Sequence, residues 1–151
     1  MTNPSIAKPI AVATLISGTL DILLAMILTV WFGREIPTML RFVASGPFPS
    51  ATEMGTAGAV LGLVVHFTLM ALMATIFMLA VRSRPQWLDR PFATAIIFGL
   101  ITYVVMNLIV VPIRFSAPLP PKPISIVTQL FAHIVLVGLV MTLVARKYLR
   151  Q

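Results

Sequence analysis

Three ionisable side chains stand inside long apolar stretches of this sequence, namely Asp21, His66 and His133. Ionisable groups in hydrocarbon cost roughly 2.5–3.5 kcal/mol each on insertion scales, so they face the interior of a helical bundle and need partners. Histidine exchanges protons near neutral pH, and Asp/His chains carry protons through membranes. Neutral imidazole is also a ligand for haem iron and for zinc. These side chains are therefore the candidate functional residues.

Three further polar residues, Tyr103, Asn107 and Gln129, are expected at a similar depth. Tyr103 and Asn107 are four residues apart, as are Gln129 and His133, so each pair shares a helix face. At 1.5 Å per residue, all six side chains fall within roughly 9 Å of depth, and the two histidines differ by about 3 Å. The sequence therefore predicts one intramembrane polar core, formed by Asp21, His66, Tyr103, Asn107, Gln129 and His133.

Four hypotheses for the role of this core remain open. In the first, it is structural, and its hydrogen bonds fix helix register at about 0.6 kcal/mol each. In the second, Asp21 exchanges protons with His66 or His133 in a proton or ion pathway. Four short helices leave little room for water, so this pathway requires an oligomer.

The other two hypotheses concern a bound group. In an up-down bundle in cyclic order the second and fourth helices are diagonal, which would let His66 and His133 be the axial ligands of a haem b. The same histidines with Asp21 offer a nitrogen and oxygen ligand set that zinc or iron accepts. A cofactor-free protein is the expectation, and the alternative is a bis-histidine haem subunit for electron transfer.

Composition places these residues in a membrane protein. Of 151 residues, 59% are hydrophobic, 11 are Lys or Arg, and only 4 are Asp or Glu; the mean hydropathy is +1.02. Charged residues make up 10% of the chain, whereas a soluble domain carries about 25%. This excludes a disordered chain, an ordinary cytosolic enzyme and a nucleic-acid partner. With no cysteine, disulfides and thiolate chemistry are excluded too.

The elements that position the core are four apolar runs, at about 10–32, 57–81, 92–113 and 124–145. A helix needs about 20 apolar residues to cross a bilayer. The sequence therefore predicts an all-α fold, a single domain over 1–151 with four transmembrane helices in an up-down bundle. The first run is too long for a signal peptide and carries Asp21 in its middle, so it is expected to be a retained span.

Two patterns concern how these spans connect and repeat. Residues 33–56 contain an apolar cluster that predicts a short amphipathic helix on the membrane surface, and Ser50 to Glu53 fit a capping box that begins the second span. Gly18 precedes Arg34 by 16 residues and Gly99 precedes Arg114 by 15. Because each such span is followed by one with a central histidine, the pattern indicates a duplicated hairpin.

The positions of Lys and Arg predict the orientation. The N-terminus, the middle loop and the C-terminus hold seven, whereas the other two loops hold four. Because positive residues favour the cytoplasmic side, we expect both termini in the cytoplasm, in a bacterial inner membrane.

Four short features carry a resemblance to a known family. They are Gly-Arg-Glu-Ile-Pro at 33–37, Gly-Leu-Val-Val-His ending at His66, Pro112 after the third span, and Gln-Leu-Phe-Ala-His from Gln129 to His133. As a pattern of spans over most of the chain, the sequence resembles the YagU-like family of bacterial inner-membrane proteins. The resemblance implies a small, non-enzymatic membrane protein linked to acid tolerance, with His66 and His133 as its positions of interest.

The sequence thus predicts a small integral membrane protein without enzymatic activity. Its polar core is structural or supports proton or ion movement. The expected partners are the lipid bilayer and either further copies of the chain or another membrane protein. No pattern in the sequence identifies a substrate, an ion or an oligomer size.

Overall fold

The computed structural model describes residues 5–150, which form five helices. Four are long and apolar: α1 (Ala7–Trp31), α3 (Gly55–Ser83), α4 (Pro91–Phe115) and α5 (Pro123–Leu149). Each is long enough to cross the roughly 30 Å of bilayer hydrocarbon. The predicted all-α fold with four spans is therefore confirmed. Three predicted runs lie inside their helices, and the first ends one residue beyond Trp31.

The beginning of α1 and the end of α5 lie at the same end of the bundle. The ammonium group of Lys8 in α1 lies 5.5 Å from the ring centre of Tyr148 in α5. Arg150 forms an ion pair of 2.9 Å with Asp89, in the connection between α3 and α4. We call this end, with the connection 84–90, the terminal end. The opposite end, which holds α2 (Ile36–Ser45) and residues 116–122, is the distal end.

The packed core lies mainly between α1, α3 and α5. In the terminal half, buried side chains from these helices form one cluster that includes Ala13, Met70, Phe77, Met78, Val137 and Met141. In the distal half, Ile22, Leu40 and Ala59 join α1, α2 and α3. Many large apolar side chains point outward instead, among them Leu15, Ile27 and Val127. That pattern is expected of helices whose outer faces meet hydrocarbon.

The short helix α2 is present as predicted, and it packs closely against α3. A Cβ added at Gly62 of α3 would overlap the main-chain carbonyl of Leu40, so the two backbones are in direct contact. Ala44 of α2 is fully buried. Only glycine at position 62 permits this approach. The distal half of α3 is therefore covered by protein on one side.

The predicted capping box at Ser50 to Glu53 is wrong. These residues belong to a 3₁₀ turn, Pro49–Glu53, which the Met54 N–H closes by donating to the carbonyl of Ala51 at 3.3 Å. Gly55 then adopts a left-handed conformation, with φ of 56°, before α3 continues. That conformation suits glycine and separates the turn from the helix. No side chain caps α3 at Met54.

Two of the long helices contain π-helical segments at the level of the predicted core. They are Val104–Val110 in α4 and Ala132–Leu139 in α5. A π-helical turn holds more residues than an α-helical turn, so it rotates the following side chains to a new face. Asn107 and His133 both lie in these segments, and spacing in an ideal α-helix does not apply to them.

Candidate functional site

Asp21 and His66 form a pair between α1 and α3. Nδ1 of His66 lies 3.9 Å from Oδ2 of Asp21. Nε2 of His66 donates a hydrogen bond of 2.9 Å to the main-chain carbonyl of Gly18. Because a carbonyl oxygen only accepts, Nε2 must carry a hydrogen, which leaves Nδ1 as the atom that gains or loses a proton opposite the carboxyl group. The bond to Gly18 therefore places the second ring nitrogen, Nδ1, opposite the carboxyl group of Asp21.

This pair lies deep within the spans. His66 is 11 residues into α3 from its distal end at Gly55, which places it about 16 Å along the helix axis. The imidazole is buried, whereas the side chain of Asp21 retains 21% of its accessible surface. The carboxyl group therefore reaches the surface of the single chain at a depth where hydrocarbon is expected. The ring of Phe67 lies edge-on to the imidazole, with centroids 5.2 Å apart.

Two buried hydroxyl groups lie on α1 beside this pair. Within residues 5–150, Oγ1 of Thr14 and Oγ of Ser17 have no hydrogen-bond partner. Ser17 is fully buried and precedes Asp21 by one helical turn, and Thr14 lies almost one turn further toward the terminal end. Buried polar groups normally have a protein or water partner. These hydroxyls form a polar line along α1 that leads to Asp21.

His133 belongs to a separate network between α5 and α4. The Thr102 hydroxyl donates to the carbonyl of Gly99 at 3.1 Å, so its oxygen accepts from Nδ1 of His133 at 3.0 Å. Nε2 of His133 then accepts from the amide nitrogen of Asn107 at 3.2 Å. Both ring nitrogens are satisfied by neutral groups in this arrangement. The His133 network, which comprises His133, Thr102 and Asn107, therefore fixes one neutral tautomer.

The structure divides the predicted polar core between two helix pairs. Asp21 and His66 lie together, as do Asn107 and His133. The ring of Tyr103 is edge-on to His133, with centroids 6.1 Å apart. Gln129 is half-buried and forms none of the side-chain hydrogen bonds found between the other core residues. Helix spacing identified residues of similar depth, but not which of them are neighbours.

The two bound-group hypotheses gain no support from this arrangement. Within residues 5–150, no group of three His, Cys, Asp or Glu side chains is close enough to hold a metal ion. Nε2 of His66 and Nε2 of His133 both have hydrogen-bond partners on neighbouring helices. A ring nitrogen that ligates haem iron cannot also make such a bond, so haem ligation through these Nε2 atoms would require the bonds to open.

Two residues outside the predicted polar core complete these networks. Gly18 supplies the carbonyl that orients His66, and Thr102 supplies the hydroxyl that binds His133. Asp21 lies three residues after Gly18, and Thr102 lies three residues after Gly99. In the repeated hairpin pattern, where Gly18 corresponds to Gly99, Thr102 therefore takes the place of Asp21. That correspondence was the sequence signal that could have identified Thr102. A Cβ at Gly99 would lie 2.6 Å from the carbonyl of His133, so this helix pair is also in close contact.

Comparison of the chain with protein families, curated proteins and solved structures finds no match. The geometry of the two networks is therefore the basis for the functional proposal.

Proposed function

We propose that this chain is a multi-pass membrane protein whose Asp21–His66 pair binds and releases a proton during proton movement across the membrane. The observation that carries the proposal is the orientation of His66. Since Gly18 holds Nε2 in the donor state, the exchangeable proton is directed to Nδ1, opposite Asp21. A carboxyl and an imidazole with one proton between them are neutral as a pair, and because 3.9 Å exceeds hydrogen-bond distance, a small side-chain movement would bring them close enough to pass that proton.

The polar line along α1 supports a route to this pair. Ser17 and Thr14 offer hydroxyl groups that are available to hydrogen-bond water, since each is buried without a protein partner within residues 5–150. Successive members are separated by about one helical turn, roughly 5 Å of rise. Hydroxyl groups both donate and accept hydrogen bonds, so water between them would complete a proton path toward the terminal end.

The partial exposure of Asp21 supports assembly with further copies of the chain or with another membrane protein. A carboxylate facing hydrocarbon is costly, and the 21% of its side-chain surface that remains accessible would be covered in an oligomer. Such an interface would also supply room for water that four helices lack. The expected location of the protein is a bacterial inner membrane, with both termini in the cytoplasm. The resemblance to the YagU-like family, with its link to acid tolerance, fits a proton-linked role.

Proton flux into liposomes tests the proposal. The full chain is reconstituted with a trapped pH-sensitive dye, and a potassium gradient with valinomycin drives protons inward. We expect flux above that of protein-free liposomes, and we expect Asp21→Asn to remove it, because the amide cannot exchange a proton. His66→Leu should remove it as well.

Asp89→Asn is the matched control, since it neutralises a carboxylate that pairs with Arg150 outside the spans. It should retain wild-type flux. If Asp21→Asn conducts as well as wild type and is more stable, the pair is structural and the proposal is wrong. A wild-type protein that gives no flux at any pH between 5 and 8, the range in which histidine titrates, would also contradict it.

A further inference from the structure

A groove opens along the outer face of the bundle between α3 and α4. At its terminal end these helices meet through the rings of Phe77 and Phe98, whose centroids are 4.6 Å apart. Distal to this contact, residues of both helices line the groove, which has a volume of about 620 Å³. Pockets for small ligands span about 300–1,000 Å³. The groove is therefore large enough for an elongated apolar group.

The walls of the groove are almost entirely apolar. Leu69, Leu72 and Ile76 line it from α3, and Ile101, Val105 and Val110 line it from α4. Thr102 also borders it, but its hydroxyl is already bonded within the His133 network. From Phe98 to Arg114 the groove follows α4 for 16 residues, a length of about 24 Å along the helix axis. That length exceeds one leaflet of hydrocarbon, which is about 15 Å.

Arg114 marks the distal mouth of the groove, beside the stacked rings of Phe42 and Phe115, whose centroids are 4.3 Å apart. Its Nε donates to the carbonyl of Gly46 at 2.6 Å, and one Nη donates to the carbonyl of Ser45 at 2.8 Å. These are the last carbonyls of α2, so the guanidinium is held in place by the end of that helix. Its position does not depend on a ligand.

The charge of Arg114 has no counterpart in the described part of the chain. The two ion pairs found within residues 5–150 are His66 with Asp21 and Arg150 with Asp89. A guanidinium has five N–H groups in a planar fork, and the two carbonyls of α2 occupy only one edge of it. The remaining edge is available to a phosphate or carboxylate.

We propose that this groove binds an anionic phospholipid, with one acyl chain between α3 and α4 and its phosphate group on the free edge of Arg114. The lipid is favoured because the cation lies at the end of a span, at headgroup level, while the apolar groove extends from it into the hydrocarbon. Fixed basic groups between transmembrane helices are typical sites for anionic lipid headgroups. The preorganised guanidinium lowers the entropy cost of binding. This inference is independent of the proton-linked role.

Native mass spectrometry of the full chain tests the site. The protein is delipidated in mild detergent and titrated separately with phosphatidylglycerol, phosphatidylcholine and oleate. We expect one tightly retained phosphatidylglycerol per chain and preference for it over phosphatidylcholine. Arg114→Gln should abolish that preference, whereas Arg34→Gln, which removes an exposed distal cation outside the groove, should retain it.

A second variant keeps the test decisive if Arg114→Gln fails to fold. Leu72→Trp fills the groove from its exposed outer side and should reduce retention of phosphatidylglycerol while leaving Arg114 in place. The proposal is overturned if wild type binds phosphatidylcholine equally well, or if oleate displaces phosphatidylglycerol at equal concentration. It is also overturned if the Leu72→Trp protein is folded and retains the lipid, or if the groove is found to bury a second copy of the chain.

Discussion

The imidazole of His66 donates its Nε2–H to the main-chain carbonyl of Gly18 at 2.9 Å, which joins α3 to α1 in the middle of the spans. This bond decides which ring nitrogen faces Asp21. His133 instead has neutral partners on both nitrogens. The two histidines therefore differ in kind, although the sequence places them at one depth. One faces a carboxyl group, and the other is held in a closed network.

The first prediction is that Asp21 and His66 stabilise the fold as a pair. His66→Leu removes the donor to Gly18 and leaves the carboxyl group of Asp21 without its partner. A double-mutant cycle with Asp21→Asn should give a coupling free energy of about 0.6–1.7 kcal/mol, which lies between the average and the largest value for hydrogen bonds between membrane helices. Unfolding in mixed detergent and SDS micelles measures it. Strictly additive effects would show that the two side chains do not interact.

The second prediction is that removing the Thr102 hydroxyl, which belongs to the His133 network, destabilises the fold more than removing a hydroxyl that bonds only within its own helix. Thr102→Val leaves Nδ1 of His133 buried without an acceptor, which should lower the free energy of unfolding by about 1–3 kcal/mol. Thr142→Val is the matched control, because that buried hydroxyl donates only to the carbonyl of Gly138 in its own helix. Thr102→Ser should restore most of the loss. Equal destabilisation by the two valines would argue against the network.

The third prediction concerns the close contact of α2 with α3. Gly62→Ala places a methyl group on the main-chain carbonyl of Leu40, so α2 must move away. Gly18→Ala meets the ring of Phe67 at 2.7 Å, and a side chain can rotate away. We expect Gly62→Ala to expose residues 36–45 to proteolysis in detergent, and Gly18→Ala to leave them protected. Similar cleavage of both proteins would contradict the close packing of α2.

The sequence allowed the spans and the short α2 to be predicted, because long continuous apolar runs and the apolar cluster at 33–56 determine them. The sequence did not allow us to predict which of the polar residues contact one another. The spacing of Tyr103 and Asn107 assumes an α-helix, whereas Asn107 lies in a π-helical segment that rotates it. Thr102 was missed because threonine in an apolar helix usually bonds its own main chain, as Thr68 does with Val64. Only the packing of α4 on α5 gives this hydroxyl a second partner.

The last prediction is the orientation of the spans. The terminal end carries seven Lys and Arg residues and the distal end carries four, which favours a cytoplasmic terminal end. A reporter that works only in the cytoplasm should be active when it is fused after Gln151. Alkaline phosphatase, which works only outside the cytoplasm, should be active when it is inserted between Pro118 and Leu119. Lys8 lies near Tyr148, and Asp89 pairs with Arg150, all at the terminal end. We therefore expect both termini on the same side in either orientation. If both reporters are inactive, the predicted orientation is reversed. The polar line of α1 would then open to the other side of the membrane, whereas the depth of the Asp21–His66 pair would be unchanged.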